Sequence, residues 1–401
     1  ASLSIDITPD SLDHELSGLK IWVAEEKDPV YKAILNNLLG YYTLDTGKRD
    51  EAAIDAAIAY FRLSLQDKDI LSRKSAADYR PMTVSKELSG KYCGDNMYQL
   101  LARQAISRLS GYFIVNPVLA EKIQTEILSI YDELIDFYQQ QGMTDARLLL
   151  MLDKLNYQGN DISRGGVNEK LRLTDEQVIT LLKQWAEEFS ASPLCGEVYC
   201  QLAERYDRMQ DYTAKLHAAQ TGLKKYPQSP SANDLKEQAA EVLTPRLMVE
   251  IPFAYPAKEV DLKVKYRNLT GLTVELYRMN LPVTSNILER EITASTVSRY
   301  GKLVGTRHYQ LAATPDYMET DTLLRYKFPT EGIYILKSIP DGHRKYTAYG
   351  KAYVSSLQAI SLGLPGGKQE INIIDRLTGH PVAGTEVAYY RVSQGEGYRL
   401  V

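Results

Sequence analysis

The sequence from Val260 to Arg267 is Val-Asp-Leu-Lys-Val-Lys-Tyr-Arg. Its apolar and charged residues alternate with a period of two, which is typical of a β-strand that buries one face and exposes the other to water. A second alternating run, Leu272–Tyr277, follows the turn Asn268–Gly271. The two runs together predict a β-hairpin.

Further alternating segments lie C-terminal to this pair and are separated by turns that contain proline and glycine. Strands are predicted near residues 302–312, 321–328, 332–338 and 344–354. No helical pattern of ten residues lies between them, so they favour an antiparallel β-sandwich over a parallel sheet. We therefore predict a β-sandwich domain at residues 245–353.

Before Pro245 the spacing of apolar residues is helical. Two sets of four residues follow the i, i+4, i+7, i+11 rule of a helix with one apolar face: Ile54, Ile58, Phe61 and Leu65; Ile123, Ile127, Ile130 and Leu134. The full pattern predicts helices near residues 10–25, 29–45, 50–66, 95–110, 117–141, 144–156, 174–190, 196–209, 211–226 and 231–243. Short connections between them indicate antiparallel neighbours.

Helix ends are marked by residues that stabilise them. Asp28-Pro29 and Asn116-Pro117 each place a capping side chain before a proline at the first helical position. Gly142 stands where a left-handed residue ends a helix, and Thr174 with Gln177 predicts a capping box.

The most specific pattern in this half is that of a tetratricopeptide helix pair, in which small residues let two helices approach closely. Its order is met by Tyr199, Leu202, Ala203, Tyr206, Ala219, Gly222 and Pro227. Two positions depart from it: Lys215 replaces the first small residue of the second helix, and Ala219 stands where an aromatic residue is usual. Residues 1–244 are therefore predicted to form an α-helical, tetratricopeptide-like array. The predicted fold class is multidomain, α then β.

Composition excludes several classes of protein. The 401 residues carry a net charge of −4, which offers no positive field for nucleic acid. No apolar run is long enough to span a membrane. The three cysteines have no paired CxxC spacing, which argues against a disulfide scaffold or zinc ribbon. The sequence begins at Ala1, and we expect a mature protein or a piece of a longer one.

A second set of strands is predicted beyond Val354, near residues 357–362, 370–375 and 386–392. Only about half of the residues that a seven-stranded sandwich needs remain there. Residues 354–401 are therefore interpreted as the opening strands of a second, incomplete β domain, and the sequence as part of a longer protein.

The turn in this segment has the pattern Asp-x-x-Thr-Gly-x-Pro-Val-x-Gly, from Asp375 to Gly384. It resembles the strand–turn–strand of macroglobulin-like domains. The stretches Tyr309–Leu311, Pro315–Tyr317 and Gly332–Leu336 resemble the preceding domain of bacterial alpha-2-macroglobulin-like proteins. Members of Bacteroides type carry a helical region ahead of these domains, in the same order as here.

This resemblance implies protease trapping in the cell envelope: a bait segment is cut and the molecule rearranges. In many members an internal thioester, formed within Cys-Gly-Glu-Gln, captures the attacking protease. This sequence holds a near match, Cys195-Gly196-Glu197-Val198, at the start of a predicted helix and in a different region of the chain from the family's thioester. Valine has no acyl group for the thiol to attack, so we expect Cys195 to be a buried structural cysteine at the head of a helix.

Other candidate chemistries lack the required spacing, so no catalytic, cofactor-binding or metal-binding residue is assigned. The candidates are the scattered histidines His14, His217, His308, His343 and His380, the acidic loop of Asp316, Glu319 and Asp321, the glycine-rich turn Gly363–Gly367, the polar loop Ser163–Gly166, and the adjacent pair Glu187 and Glu188. We predict that the chain is not an enzyme.

Three hypotheses of function remain open. The first is a non-catalytic N-terminal scaffold of an alpha-2-macroglobulin-like protease inhibitor in the envelope, periplasmic or lipid-anchored, with proteases and other envelope proteins as partners of the parent protein. The second is a surface protein that binds a glycan or peptide on tyrosines of the helical stack: Tyr41, Tyr42, Tyr98, Tyr199, Tyr206, Tyr212 and Tyr226. The third is an enzyme whose active site lies beyond Val401.

Overall fold

A computed structural model describes residues 9–45, 50–79, 96–112, 116–161, 169–281, 292–388, 390–393 and 397–400. By internal contacts the chain divides into two units. The helical unit consists of Ala1–Met209 and Ala214–Gln238, and the sheet unit of Gln210–Thr213 and Ala239–Val401. The predicted order of a helix-rich part followed by antiparallel strands is confirmed.

Twelve α-helices lie in the described residues. They are α1 (Pro9–Glu25), α2 (Pro29–Asp45), α3 (Glu51–Leu65), α4 (Lys68–Leu71), α5 (Met97–Ser110), α6 (Pro117–Gln140), α7 (Thr144–Asn156), α8 (Asp175–Glu188), α9 (Cys195–Arg208), α10 (Tyr212–Lys225), α11 (Ala232–Leu243) and α12 (Ala294–Tyr300). The short helices α4 and α12 were not expected from the sequence. No helix of the described residues combines the length and the apolar character needed to cross a membrane.

The predicted caps are present. Asn116 Oδ1 accepts hydrogen bonds from the backbone N–H groups of Val118 and Leu119, at 3.0 and 3.4 Å, so it binds two donors that the first turn of α6 leaves free. Thr174 and Gln177 form the capping box of α8. Gly142, just after α6, has a φ of +67°.

A continuous apolar core joins α2, α3, α5, α6 and α7. The two predicted stripes supply much of it: Ile54, Phe61, Ile127 and Leu134 are fully buried, and Ile58 packs against the cluster while partly exposed. The one-sided spacing of these residues therefore did predict which helix faces are buried.

Eleven strands lie in the described residues. They are β1 (Arg246–Glu250), β2 (Glu259–Arg267), β3 (Gly271–Met279), β4 (Gly301–Gln310), β5 (Thr320–Lys327), β6 (Gly332–Pro340), β7 (Ala348–Val354), β8 (Leu357–Leu364), β9 (Lys368–Asp375), β10 (Tyr390–Ser393) and β11 (Gly397–Leu400).

The strands form four antiparallel sheets with the orders β1-β2-β5, β4-β3-β6-β7, β8-β9 and β10-β11. The first two sheets bury side chains in one hydrophobic cluster, to which Leu262 and Tyr326 contribute from one sheet and Val274 and Leu336 from the other. The alternation in Val260–Arg267 correctly predicted the buried face of β2, because Leu262, Val264 and Tyr266 are all buried.

The predicted hairpin of β2 and β3 is wrong. β2 pairs with β1 and β5, whereas β3 pairs with β4 and β6, so the connection at Asn268–Gly271 passes from one sheet to the other. Both strands place apolar residues in the same cluster, so each buries its apolar face without pairing with the other. Leu269, inside the connection, is itself buried.

Smaller differences concern strand ends. β1 was missed because its sequence, Arg-Leu-Met-Val-Glu, has three consecutive apolar residues and no apolar–polar alternation, although its residues alternate between exposed and half-buried in the structure. Residues Arg344–Tyr346, predicted as strand, form a 3₁₀ turn ahead of β7. Residues 386–388 are not in a strand, and β10 begins only at Tyr390.

The end of α11 is bound by side chains from the end of β2. Arg267 Nη2 donates to the carbonyl oxygen of Glu241 at 2.7 Å, and Asn268 Nδ2 donates to that of Val242 at 2.7 Å. The last carbonyls of a helix have no partner within it, so these side chains act as a C-terminal cap. Arg267 is 3% exposed.

Candidate functional site

The near match to a thioester motif lies at the start of α9. Cys195 is fully buried, and its Sγ lies 3.7 Å from the carbonyl oxygen of Ala186. Gly196 packs so closely against Ser229 that any Cβ at this position would collide with the serine side chain. The glycine is therefore explained by close packing.

Both described cysteines, Cys195 and Cys200, are free thiols. Burial raises the pKa of the Cys195 thiol, and burial with nearby carboxylates raises that of Cys200 to about 12. Only the thiolate is a strong nucleophile, so at neutral pH neither cysteine is activated for attack. Cys93 lies outside the described residues.

Glu197, in the first turn of α9, has a carboxyl group whose pKa is changed by burial. Burial raises the pKa of its carboxyl above the usual range, against opposing hydrogen bonds from Ser231 and Ser229. Between the pKa of Glu197 in the unfolded chain and its raised pKa in the folded protein, the unfolded chain has already lost this proton. The contribution of protonated Glu197 to the free energy of unfolding is therefore complete below the unfolded pKa and is lost as pH rises through the folded pKa. We expect Glu197→Gln to unfold at a higher temperature than the unchanged protein at pH 7, with the gain disappearing towards about pH 4.

Thermal unfolding of the helical unit, followed across this pH range, measures the effect. Glu187→Gln, which removes an exposed carboxylate from α8, serves as the matched control. A pH-independent difference between Glu197→Gln and the unchanged protein contradicts the prediction.

The histidines are dispersed, and the described residues contain no group of three or more metal-ligating side chains. His308 Nε2 lies 2.7 Å from Asp341 Oδ2, with both side chains about half exposed. The His343 ring lies 6.4 Å from that of Tyr346. His217 and His380 are exposed, and the side chain of His14 lies outside the described residues.

Two of the acidic candidates, Glu319 and Asp316, are engaged with cations or backbone, and the third, Asp321, lies in β5. Glu319 pairs with Lys265 at 3.1 Å and with Arg246 at 3.0 Å, and both interactions lower the pKa of its carboxyl. Asp316 accepts a hydrogen bond from the backbone N–H of Met318. The charge of Glu319 is therefore balanced by neighbouring side chains of the sheet unit.

Two of the remaining candidates, the glycine-rich turn and Glu188, have local structural explanations. Residues 365–367 form the turn that joins β8 and β9, with φ values of +77° at Gly366 and +73° at Gly367. Glu188 pairs with Arg147 at 2.8 Å. The loop Ser163–Gly166 lies outside the described residues.

The seven tyrosines of the binding-platform hypothesis are buried or half-buried. Tyr98 is 2% exposed, and burial raises its pKa to about 12. The guanidinium of Arg108 covers Tyr41 at 3.9 Å from the ring centroid, and Tyr226 donates a hydrogen bond to the carbonyl oxygen of Ser190 at 2.9 Å. These contacts are typical of packing between helices.

A different pair of aromatic side chains faces water. Trp22 at the end of α1 is 60% exposed, and Tyr31 at the start of α2 is 45% exposed. They line an open depression of about 570 Å³, here called the Trp22 groove, whose lining residues are Trp22, Glu25, Glu26, Lys27, Tyr31 and Leu35.

The loop between α1 and α2 fixes carboxylates at this groove. Glu26 Oε1 accepts hydrogen bonds from the backbone N–H groups of Lys27 and Asp28, both at 2.8 Å. Asp28 Oδ1 caps α2 by accepting from the backbone N–H groups of Val30 and Tyr31, at 2.7 and 3.1 Å. The groove thus combines aromatic rings with oriented negative charge.

The turn that carried the family resemblance also has a defined geometry. Asp375 Oδ1 accepts hydrogen bonds from the backbone N–H groups of Leu377 and Thr378, at 3.0 and 2.9 Å, and from the Thr378 hydroxyl at 3.0 Å. Gly379 and Gly384 have φ values of +72° and +75°, where glycine is favoured. The motif residues therefore hold a tight turn after β9 and need no ligand.

Two solved structures similar to this chain are fragments of Escherichia coli alpha-2-macroglobulin. One spans domains MG0-NIE-MG1 and matches at 17% identity and a TM-score of 0.29, over 34% of this chain and 47% of its own length. The other spans domains NIE-MG1 and matches at 14% identity and a TM-score of 0.27, over 35% of this chain and 74% of its own.

A surface-layer protein, SbsC domains 1–6, matches at 12% identity and a TM-score of 0.17, over 92% of this chain and 53% of that structure. The chain thus spans about half of the first alpha-2-macroglobulin fragment and about half of SbsC. No protein-family model matches the sequence. None of the curated proteins matches it either.

Trp22 was not among the predicted site residues, although the periodicity of α1 distinguishes it from the buried residues. Leu16, Leu19 and Val23 form the apolar stripe of α1 that packs against α2. At 100° per residue, Trp22 lies about 90° away from the centre of this stripe, and Ile21 lies nearly opposite it. Large apolar residues off the buried stripe are the ones to inspect for a binding role.

Proposed function

We propose that this chain is a non-catalytic scaffold of an alpha-2-macroglobulin-like protease inhibitor in the bacterial cell envelope. The single observation that carries the proposal is the Asp375–Gly384 turn, whose Asp, Thr and Gly residues each have a defined role in its geometry. This explains why the pattern shared with macroglobulin-like domains has those residue types at that spacing.

The order of elements supports the same proposal. We infer that residues 1–244 form tetratricopeptide-like helix pairs, as in the helical region of Bacteroides-type members. Close approach within this part supports the inference: a Cβ at Gly222 in α10 would lie 2.5 Å from the Tyr199 Cβ in α9 and 3.1 Å from Leu235 in α11.

We infer that residues 245–353 form a macroglobulin-like β-sandwich and that residues 354–401 begin a second one. The common cluster of the two larger sheets supports the first inference. For the second, the support is that β8 and β9 pair only with each other, and that β10 and β11 do the same, among the strands that the structure describes.

The proposal gives the chain no catalytic step of its own. Cys195 is buried and protonated, and Val198 occupies the position of the glutamine that a thioester requires. The partners would be proteases, met through the parent protein, and other envelope proteins. We place the parent in the periplasm or on a lipid anchor, by the same resemblance.

The test compares the chain with the longer protein that contains it. We expect residues 1–401, incubated with trypsin, elastase or subtilisin, to form no covalent adduct and to leave the protease active. Cys195 and Cys200 are expected to react with iodoacetamide only after unfolding, because both are buried. Peptide mapping by mass spectrometry measures the adduct and the labelling.

The parent protein should behave differently. After cleavage it is expected to protect a large protein substrate from the protease while small peptide substrates are still cut, because a trap excludes by size. A covalent adduct at Cys195 would show that the chain is not a passive scaffold. If the proteases do not cleave the parent protein and keep their full activity in its presence, the inhibitor assignment is wrong.

A further inference from the structure

The Trp22 groove combines exposed aromatic area with fixed negative charge. Trp22 and Tyr31 present rings to solvent, at 60% and 45% exposure. Large exposed apolar side chains grouped in this way are typical of an interaction surface. The groove lies within the helical unit and is formed by α1, α2 and the loop between them.

The charge around these rings is predominantly negative. Glu25 is exposed, and Glu26 is held in place by two backbone N–H groups. The negative region continues past Tyr31, whose ring packs edge-on against Tyr79 at 5.5 Å. Burial and the charges of Asp28 and Asp78 raise the pKa of Tyr79. Among the six lining residues, Lys27 is the single cation.

We propose that the Trp22 groove binds an extended peptide segment rich in arginine or lysine. A guanidinium or ammonium group over the Trp22 face gains a cation–π interaction, for which tryptophan is the best partner. The neighbouring carboxylates add electrostatic attraction and specificity for positive charge. The aliphatic stems of arginine and lysine can cover Leu35, which lines the groove.

The same features argue against a neutral glycan as the occupant. A neutral sugar gains no charge–charge attraction from Glu25 and Glu26, whereas a cationic peptide does. Glu26 Oε1 already accepts two backbone hydrogen bonds. This inference is independent of the proposed scaffold role, since it rests on the groove alone.

Tryptophan fluorescence can locate the binding. The chain has two tryptophans, so the Trp185→Phe variant leaves Trp22 as the only reporter. We expect a hexa-arginine amide to change the emission of Trp22 saturably at low salt, with binding weakening as salt is added. A hexa-glutamate peptide is expected to leave the emission unchanged.

Anisotropy of a fluorescein-labelled hexa-arginine peptide then compares variants of the full chain. Trp22→Ala is expected to weaken binding about tenfold and Trp22→Phe less, because phenylalanine keeps a weaker cation–π surface. Glu25→Gln is expected to weaken binding about threefold. Glu187→Gln removes the same charge from α8 and is expected to change the affinity less than about twofold. Circular dichroism checks that each variant is folded.

Three results overturn the proposal. The first is the absence of any saturable change in Trp22 emission with hexa-arginine. The second is an equal loss of affinity in Glu25→Gln and Glu187→Gln, together with unchanged affinity in Trp22→Ala, because the attraction is then one of net charge. The third is a larger Trp22 response to cellohexaose than to the peptide, which would assign the groove to a glycan.

Discussion

Replacing Phe61 with alanine is expected to lower the free energy of unfolding of the helical unit by about 3–5 kcal/mol. Phe61 is fully buried in the apolar core of this unit. Its ring packs against the backbone of α2 at Gly40, where the absence of a side chain leaves room for the ring. The loss therefore combines burial energy with a cavity beside a rigid helix backbone.

Gly40 makes this prediction specific. A Cβ at Gly40 would lie 2.9 Å from Phe61 Cε1 and 3.0 Å from Cδ1. Gly40→Ala alone is expected to destabilise the unit by about 1–2 kcal/mol, because overpacking outweighs the helix propensity of alanine. In the Phe61→Ala background the ring is gone, so the same change should stabilise by about 1 kcal/mol.

Urea denaturation and hydrogen exchange of α2 and α3 peptides measure this double-mutant cycle. The sign reversal is the discriminating result. If Gly40→Ala destabilises equally in both backgrounds, the contact between Gly40 and Phe61 is not what limits the size of residue 40.

The second large effect is expected from Asp175→Asn. Arg205 in α9 is 2% exposed, and its Nη1 lies 3.1 Å from Asp175 Oδ1 at the start of α8. Asparagine leaves the guanidinium buried without a carboxylate, and breaking a buried pair in this way typically costs about 3 kcal/mol or more. Arg208, 3.9 Å from the same carboxylate, loses a weaker contact.

Removing the other partner should cost much less. In Arg205→Met the carboxylate of Asp175, which is 37% exposed, is still hydrated, and methionine fills most of the vacated volume. We expect a loss below about 1.5 kcal/mol. Glu176→Gln removes a neighbouring exposed carboxylate from the same helix turn and controls for the helix dipole. Equal losses in Asp175→Asn and Arg205→Met would contradict the asymmetry on which the prediction depends.

Much of the helical part could be predicted because its information is local. The stripe of Ile123, Ile127, Ile130 and Leu134 and the cap at Asn116 each depend on residues within a few turns of one another. Such spacing determines which face of a helix is buried wherever the partner lies. The short helix α12 carries no such stripe and was missed.

The sheet unit was harder to predict because strand pairing is not local. β2 and β3 are adjacent in sequence and alternate as a hairpin would, but β2 pairs with β5, which lies far along the chain beyond β3 and β4. Alternation identifies the buried face and says nothing of which strand lies alongside. The same limit applies to β1, whose pairing with β2 across the intervening loop has no signature in its own residues.

For the candidate site, the sequence indicated which residues have suitable chemistry but not which side chains are exposed. Val198 argued against a thioester from the sequence alone, and burial of Cys195 agrees with its predicted structural role. In contrast, the sequence alone does not distinguish the packed ring of Tyr98 from the exposed ring of Tyr31. Periodicity along α1 places Trp22 off the buried stripe, but its position beside Tyr31 depends on how α1 packs against α2, so the groove as a whole is not predicted by the sequence.

The C-terminal cap of α11 affects how the protein should be divided for experiments. A recombinant piece that stops at Thr244 lacks Arg267 and Asn268, and the carbonyls of Glu241 and Val242 then depend on water. The final turn of such a piece will fray, and Val242, otherwise fully buried, will be solvated. Expression boundaries for the helices are therefore better placed before Ala239, and those for the strands should begin there.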